Sequence, residues 1–246
     1  MGSIYYFITV LTLCLMSYSA NAETYSSGNQ QVNLIELYTS EGCSACPPAD
    51  EWLSSLQQKP GLWSEFIPLA FHVDYWDFIG WTDRFADKRY NKRQYHYANN
   101  DKLNAIYTPS ILMNGKEWRR RPWSRLPNAK QKPLGKLDVT HTNSTLNAGF
   151  YSSMSKNQTL ILNIALLGFE QISKIKIGEN KGKQLEHNFV VLKFKTFAMQ
   201  PSKNGFILNR TPFALPTDKE QRYALAAWIS RIEDQTPLQA TGGWLD

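Results

Sequence analysis

Two cysteines three residues apart, in "TSEGCSACPPAD" (residues 39–50), constrain this chain more than any other feature. Upstream, "VNLIELY" (residues 32–38) is rich in Val, Ile, Leu and Tyr and reads as a strand. Downstream, "PPADEWLSSLQQ" places Trp52, Leu53 and Leu56 on one helical stripe, and Pro60-Gly61 ends it. The pair therefore occupies a strand-to-helix turn, where two cysteines come close enough for a reducible disulfide. Three roles are open to it: redox pair, metal clamp or inert staple.

In a redox role Cys43 is the exposed nucleophile and Cys46 the resolving thiol, because backbone N–H groups at a helix start favour a thiolate. Pro47 and Pro48 delay the helix start to about Pro48 and weaken that help. Glu41 opposes a thiolate at Cys43, and neither Lys nor Arg lies in the motif. The net direction of the shift stays open.

The third cysteine, Cys14, lies in a segment read as a leader. Residues 4–16 are apolar, and Ala20-Asn21-Ala22 supplies a small-x-small cleavage pattern. At about 13 residues the run is too short to span a bilayer as a helix. No Lys or Arg precedes it, so an uncleaved N-terminal anchor is the competing reading. Leu13 before Cys14 speaks against a lipoprotein. Cleavage of residues 1–22 leaves one CxxC pair in an exported chain, and an oxidising compartment lets a disulfide persist. A chain of this length buries a core without staples, and so short a disulfide loop adds little to it, which weakens the staple role.

A net charge of +6, without a recognisable nucleic-acid module, argues against nucleic-acid binding. Beyond the leader no apolar run is long enough for a membrane span, so no stable membrane insertion is expected after cleavage. Residues 67–73 read as a second strand and residues 83–98, charged and aromatic, as a solvent-facing helix. "IYTPSILMNGKEW" reads as a strand, an Asn114-Gly115 turn and a return strand. Alternating elements followed by a hairpin suggest an α/β sheet of mixed direction. The basic, proline-containing stretch 119–136 reads as a linker, with a domain boundary near 130–138. After it, "TLILNIALL", "ISKIKI", "NFVVLKFKTF" and "YALAAWISRI" are short β-rich runs that suggest a sandwich or barrel.

Thr108-Pro109, immediately before "SILMNG", resembles the thioredoxin fold, in which an x-Pro with a cis bond faces the CxxC and leads to a hairpin. "ELYTSEGCSACPPAD", "AFHVDYWDFIGWTDRFA", "YTPSILMNG" and "GENKGKQLEHNFVV" resemble a bacterial secreted-protein family, domain-of-unknown-function family 1223. The resemblance implies an α/β thioredoxin-like domain over residues 28–130, then a smaller all-β, sandwich-like domain over residues 138–246, in a periplasm. It implies Thr108 and Pro109 as substrate-binding residues and supplies no activity.

Glu36 and His72 are the candidate acid/base groups. Thioredoxins place a buried acid beneath the second cysteine, but counting back by their spacing reaches Leu37, and a one-residue shift in a strand reverses the face. His72 and Asp74 alternate at a strand end, where sites gather in parallel sheets. His72 with both cysteines also makes a possible copper or zinc set, although no Met-rich or His-rich tract accompanies it. Tyr75, Trp76, Phe78, Trp81 and Phe85 form an aromatic cluster suited to a peptide groove, a lid or a core. Trp118, Arg119, Arg120, Arg121 and Trp123 suit an anionic partner or, more plainly, a solvated face. Asn143, Asn157 and Asn209 open N-x-S/T patterns without meaning in a bacterial host. The β-rich half offers no catalytic constellation, and His187 no evident partner.

The expectation is a periplasmic thiol–disulfide oxidoreductase with no cofactor and no resident metal, acting on protein or small-molecule thiols and disulfides. The alternatives are a secreted binding module with a structural disulfide, and copper or zinc binding through Cys43, Cys46 and His72.

Overall fold

Runs that are apolar at nearly every position, rather than at alternate ones, need cover on both faces, and the computed structural model supplies it. The structure describes residues 22–28, 30–119, 126, 135–142, 144–216, 218 and 220–245. Residues 1–21 of the expected leader, Arg120, Arg121 and Trp123 of the basic stretch, most of the expected linker and Asn143 lie outside the described residues.

In chain order the elements are β1 (Ala22–Ser26), β2 (Asn33–Thr39), α1 (Pro47–Ser55), β3 (Phe66–His72), α2 (Lys88–Asn99), β4 (Ser110–Met113) and β5 (Lys116–Glu117). There follow β6 (Lys136–Thr142), β7 (Thr145–Tyr151), β8 (Leu160–Gly168), β9 (Gln171–Lys174), β10 (Gln184–His187) and β11 (Val190–Ala198). The last are β12 (Gln200–Ser202), β13 (Gly205–Pro212), β14 (Tyr223–Arg231) and β15 (Pro237–Trp244). An eight-stranded mixed sheet runs β15-β14-β8-β11-β3-β2-β4-β5, a five-stranded sheet runs β1-β6-β7-β13-β12, and β9 and β10 pair only with each other.

This overturns the expected fold class of an α/β thioredoxin-like domain followed by a smaller all-β domain. Strand makes up 46% of the described residues and helix 13%, with two α-helices. The physical reason lies in the burial of the later strands. β8 and β14 are buried along almost their whole length, so neither can form the outer wall of a small sandwich. Instead β11 joins β3 in parallel, Val190 opposite Ala70, and carries β8, β14 and β15 into the same sheet. Local turn chemistry fared better: Thr108–Pro109 is cis, and Asn114 and Gly115 both have positive φ in the β4–β5 turn.

The two faces of the large sheet are chemically distinct. On one face Tyr38 and Phe71 stack, and Phe71 meets Tyr90 of α2. On the other, Thr39 of β2 bonds Asp50 of α1. Further along that second face Leu225, Ala227 and Ile229 pack with Leu137, Val139 and Phe150 of the five-stranded sheet.

Helix α2 is not the solvent-facing helix its charge suggested. Asp87 caps it by accepting from Arg89 N, and Tyr90, Arg93, Gln94 and Tyr97 are buried. Arg93 bonds both carboxylate oxygens of Glu36, at 2.7 and 3.1 Å, and Tyr97 donates to Glu36 at 2.7 Å. The guanidinium also lies over the rings of Trp228 and Tyr97. Burial works against the Arg93 charge, but Glu36 and the two tyrosine hydroxyls outweigh it and hold the group more strongly protonated. Burial, with Glu36 adding to it, pushes Tyr38 and Tyr97 well above the ordinary tyrosine value.

Arg93→Ala strands a buried carboxylate and is expected to lose about 3–5 kcal/mol of stability in urea denaturation. The double change Glu36→Gln/Arg93→Met, which strands no charge, is expected to lose much less. Equal losses would show that the pair acts only as packing volume.

Candidate functional site

The cysteine loop leaves β2 at Thr39 and turns twice before α1, with Cys43 N bonding Ser40 O and Cys46 N bonding Cys43 O. Cys46 is the N-cap of α1, and Pro47 and Pro48 occupy the first helical positions. These prolines fit a first turn, but they contribute no N–H groups toward a sulfur. Cys43 and Cys46 form a disulfide with Cα atoms 5.4 Å apart. The pair is not exposed at Cys43 as expected: Cys43 is 1% and Cys46 0% accessible, with only Ser44 and Ala45 between them at the surface.

The cover comes from residues far away in sequence. Asn180 donates its amide to the carbonyls of Glu41 and Cys43, at 2.9 and 3.0 Å. The Lys183 ammonium holds the other end of that amide at 2.9 Å, so the donor end faces the loop. The Glu179 carboxylate accepts from Ser44 N at 3.1 Å. On the opposite side Gly42 lies so close to Trp76 that an added Cβ would stand 3.0 Å from the Trp76 Cβ.

Beneath the loop is a buried set of titratable groups. Parallel pairing puts Thr39 opposite His72, so both strand ends present the same face. His72 Nδ1 lies 2.7 Å from Asp83, which also accepts from the backbone N–H groups of Glu41 and Phe85. His187, at the end of β10, brings its ring centroid to 5.0 Å from that of His72. Its Nε2 stands 3.4 Å from Glu41 and its Nδ1 3.9 Å from Asp50. Both His187 nitrogens, His72 Nε2 and one Glu41 oxygen are buried without a hydrogen bond among the described residues.

Burial lowers the tendency of His72 to charge, but Asp83, Asp50 and Glu41 outweigh it and raise its pKa above the ordinary value. Burial raises Asp83 as well, and His72 with the two backbone donors reverses that and lowers it. Asp50 is pushed up by burial despite both histidines and Thr39. Glu41 is held low, because His187, Ser173 and Trp81 offset its burial.

The expected site residues divide. Cys43, Cys46 and His72 come together at one end of the sheet. Ser110 pairs with Tyr38, which sets Pro109 beside the start of the cysteine loop. Thr108 accepts from Trp76 Nε1 at 2.7 Å, and Trp76 lies against Gly42. Glu36 is on the other face, held by Arg93, so it is no acid for the cysteines: it is three positions from Thr39 along a strand, and odd separations reverse the side chain. Asp74 lies past the end of β3 and pairs with Asn91. Among the described residues no three His, Cys, Asp or Glu side chains gather with metal-holding geometry, so Cys43, Cys46 and His72 form no such set. The aromatic cluster is distributed around the buried groups: Trp81 donates to Glu41 and Phe85 packs on His72 and His187, while Phe78 is 82% exposed.

Sequence reasoning missed Asp50, Asp83, Asn180 and the role of His187. Asp50 alone had a local signal, an acid one helical turn after Cys46 in an otherwise apolar stripe. Residues 34–230 match the family described as protein of unknown function, DUF1223. The chain belongs to that family. Cys43, Cys46, Asp50, His72, Asp83, Asn180 and His187 all fall within the matched span. No curated protein matches the chain. A crystal structure of an Agrobacterium tumefaciens protein, a structural-genomics target, is similar to this family member at 22% identity. It covers 88% of this chain and 95% of that one, with a TM-score of 0.56. HBP35 of Porphyromonas gingivalis is similar at 13% identity over 89% and 77% of the two chains, with a TM-score of 0.61. At these identities the likeness concerns the fold.

The His72–Asp83 pair has a definite pH signature. The raised His72 value contributes stability that is complete below about pH 6.5 and is lost as pH rises through the folded value. The lowered Asp83 value contributes stability present above about pH 3.9 and lost as pH falls through its folded value. Asp83→Asn is therefore expected to destabilise most between about pH 4 and 6.5. Urea denaturation of both proteins across pH checks this; a pH-independent difference would sink it.

Proposed function

We propose that the protein is a thiol–disulfide oxidoreductase that works through Cys43 and Cys46, in the exported, oxidising setting that its leader-like segment suggests. The observation that carries this reading is the group of buried titratable side chains on the cysteine face, in which Glu41 Oε1, His72 Nε2 and both His187 nitrogens make no hydrogen bond among the described residues. Burying polar atoms without a hydrogen bond is unfavourable, and functional sites are where that is tolerated.

In the exchange step a partner thiolate attacks Cys43 Sγ and forms a mixed disulfide. The Cys43–Cys46 bond breaks, and its electron pair leaves on Cys46 as a thiolate. That thiolate takes up a proton, and Asp50, His72 and His187 are the proposed carriers on this face. A second partner thiol, deprotonated, then releases Cys43 and leaves as the partner disulfide. The partner loses two electrons and the protein disulfide gains them. The reverse sequence reduces a partner disulfide. Thr108 and Pro109, placed beside the loop through Trp76, are the proposed contacts for the partner chain.

One observation favours a second reading, a binding module with a static disulfide: neither cysteine is accessible in the closed structure. The two readings separate on the reduction potential. Exchange predicts a value between about −120 and −270 mV against glutathione, and a partner captured as a mixed disulfide when Cys46→Ser blocks resolution. A value below about −300 mV, with no captured species, would assign the disulfide to structure.

A further inference from the structure

Because neither sulfur is accessible, any thiol that attacks Cys43–Cys46 needs part of its cover to move. The candidates for movement differ in how they are held. Trp76 follows directly from β3 and is tied to Thr108 ahead of β4, so it is attached to the large sheet at both contacts. The β9–β10 hairpin is different. Its strands pair with each other through four residue pairs and with neither larger sheet. An isolated two-stranded ribbon is marginal in water and relies on what its side chains grip.

The tip of that hairpin, residues 175–183, lies on the cysteine loop, across from Trp76. It is closed internally by Ile175 N to Lys183 O and Gly182 N to Ile175 O, both 2.9 Å, so it is a formed unit rather than a loose strand of chain. Gly178 and Gly182 take positive φ at 85°, the conformations this tight tip requires. Its hold on the cysteine loop consists of the two Asn180 bonds and the single Glu179 bond. At its base Arg84 bonds Ser173 and the Ile172 carbonyl, and His187 closes over Glu41, Asp50 and His72. The tip is thus a formed unit attached at its base, and its far end is held by these few polar contacts and by packing on the 79–81 segment, where a Cβ added at Gly178 would stand 3.3 Å from Ile79 Cδ1. Ile177 is 54% exposed and lies beside Gly80, where an added Cβ would stand 3.2 Å from its Cγ2.

We propose that residues 175–183 form a lid that lifts to admit a thiol to the disulfide, with Asn180 as its principal latch and Glu179 as a secondary one. The proposal rests on the exchange reading for its purpose, although the motion itself is independent of it. The bonds the latch makes are those a polypeptide main chain offers: an amide N–H to a carbonyl, and an acceptor to an N–H. The closed lid therefore satisfies the loop's backbone groups in the absence of a partner, and opening releases them for one.

The test is the rate at which dithiothreitol reduces the disulfide in the folded full-length protein, read by quenched alkylation and mass spectrometry. Loss of both Asn180 bonds in Asn180→Ala is expected to raise that rate by about tenfold or more, and loss of the single Glu179 bond in Glu179→Ala by a smaller factor. The rate should rise only shallowly with urea, because lid opening exposes little surface compared with global unfolding. Rates within twofold of wild type for both variants would overturn the lid. So would a urea slope equal to that of global unfolding, which also covers the case of a variant that is merely unstable. If the variants react faster while the potential lies below about −300 mV, the lid stands and the exchange reading fails. An exchanging potential with unaltered rates has the opposite meaning.

Discussion

The parallel contact between β11 and β3 is the junction on which the cysteine site depends. Ala70 N bonds Phe189 O and Val190 lies opposite Ala70, which locks the start of β11 beside the last turn of the β3 register. His187 is only three residues before Val190, so this one junction carries the end of β10 to the carboxyl end of β3. The hairpin ahead of it is then delivered over the cysteine loop. Without that junction His72 and Asp83 would face open solvent, and Asn180 would have no loop to hold.

A second consequence of the shared sheet is the separation of two ionic groups onto opposite faces. Glu36 and Arg93 form a paired, fully bonded unit under α2, surrounded by Phe71, Phe194 and Trp228. Its charges neutralise each other, and its hydroxyl partners occupy remaining lone pairs. The cysteine face carries Glu41, Asp50, His72, Asp83 and His187 with several buried atoms left unbonded. The first arrangement is a fully bonded ion pair, and the second leaves buried polar atoms without a hydrogen bond among the described residues. The sheet between them separates Arg93 from the cysteine-side acids, whose ionisation is set by burial, by the two histidines and by local hydrogen-bond donors.

Much of the local structure was legible. The β2–CxxC–α1 order, the Asn114-Gly115 turn and the strands β8, β11 and β14 follow from apolar runs and from residues with special backbone preferences. The errors share one cause. Helix α2 was read as solvated from its charges, yet a charged side chain can be buried when a partner on a distant strand neutralises it. Glu36 was weighed for the cysteines because it is near them in sequence, but strand periodicity sends it to the other side. His187 looked partnerless because its neighbours are more than a hundred residues earlier in the chain.

What the sequence alone determined, therefore, is short-range: where strands and helices begin, how the two cysteines share one turn, and which prolines and glycines bend the chain. Those choices depend on steric and hydrogen-bonding preferences within a few residues. Only the tertiary structure decided that the two halves share a sheet, that the disulfide is buried, and that an asparagine and a histidine from the β9–β10 hairpin join the candidate site. These depend on burying two-faced apolar strands against each other, and the partner that satisfies each face is a matter of register, which no single stretch of sequence specifies.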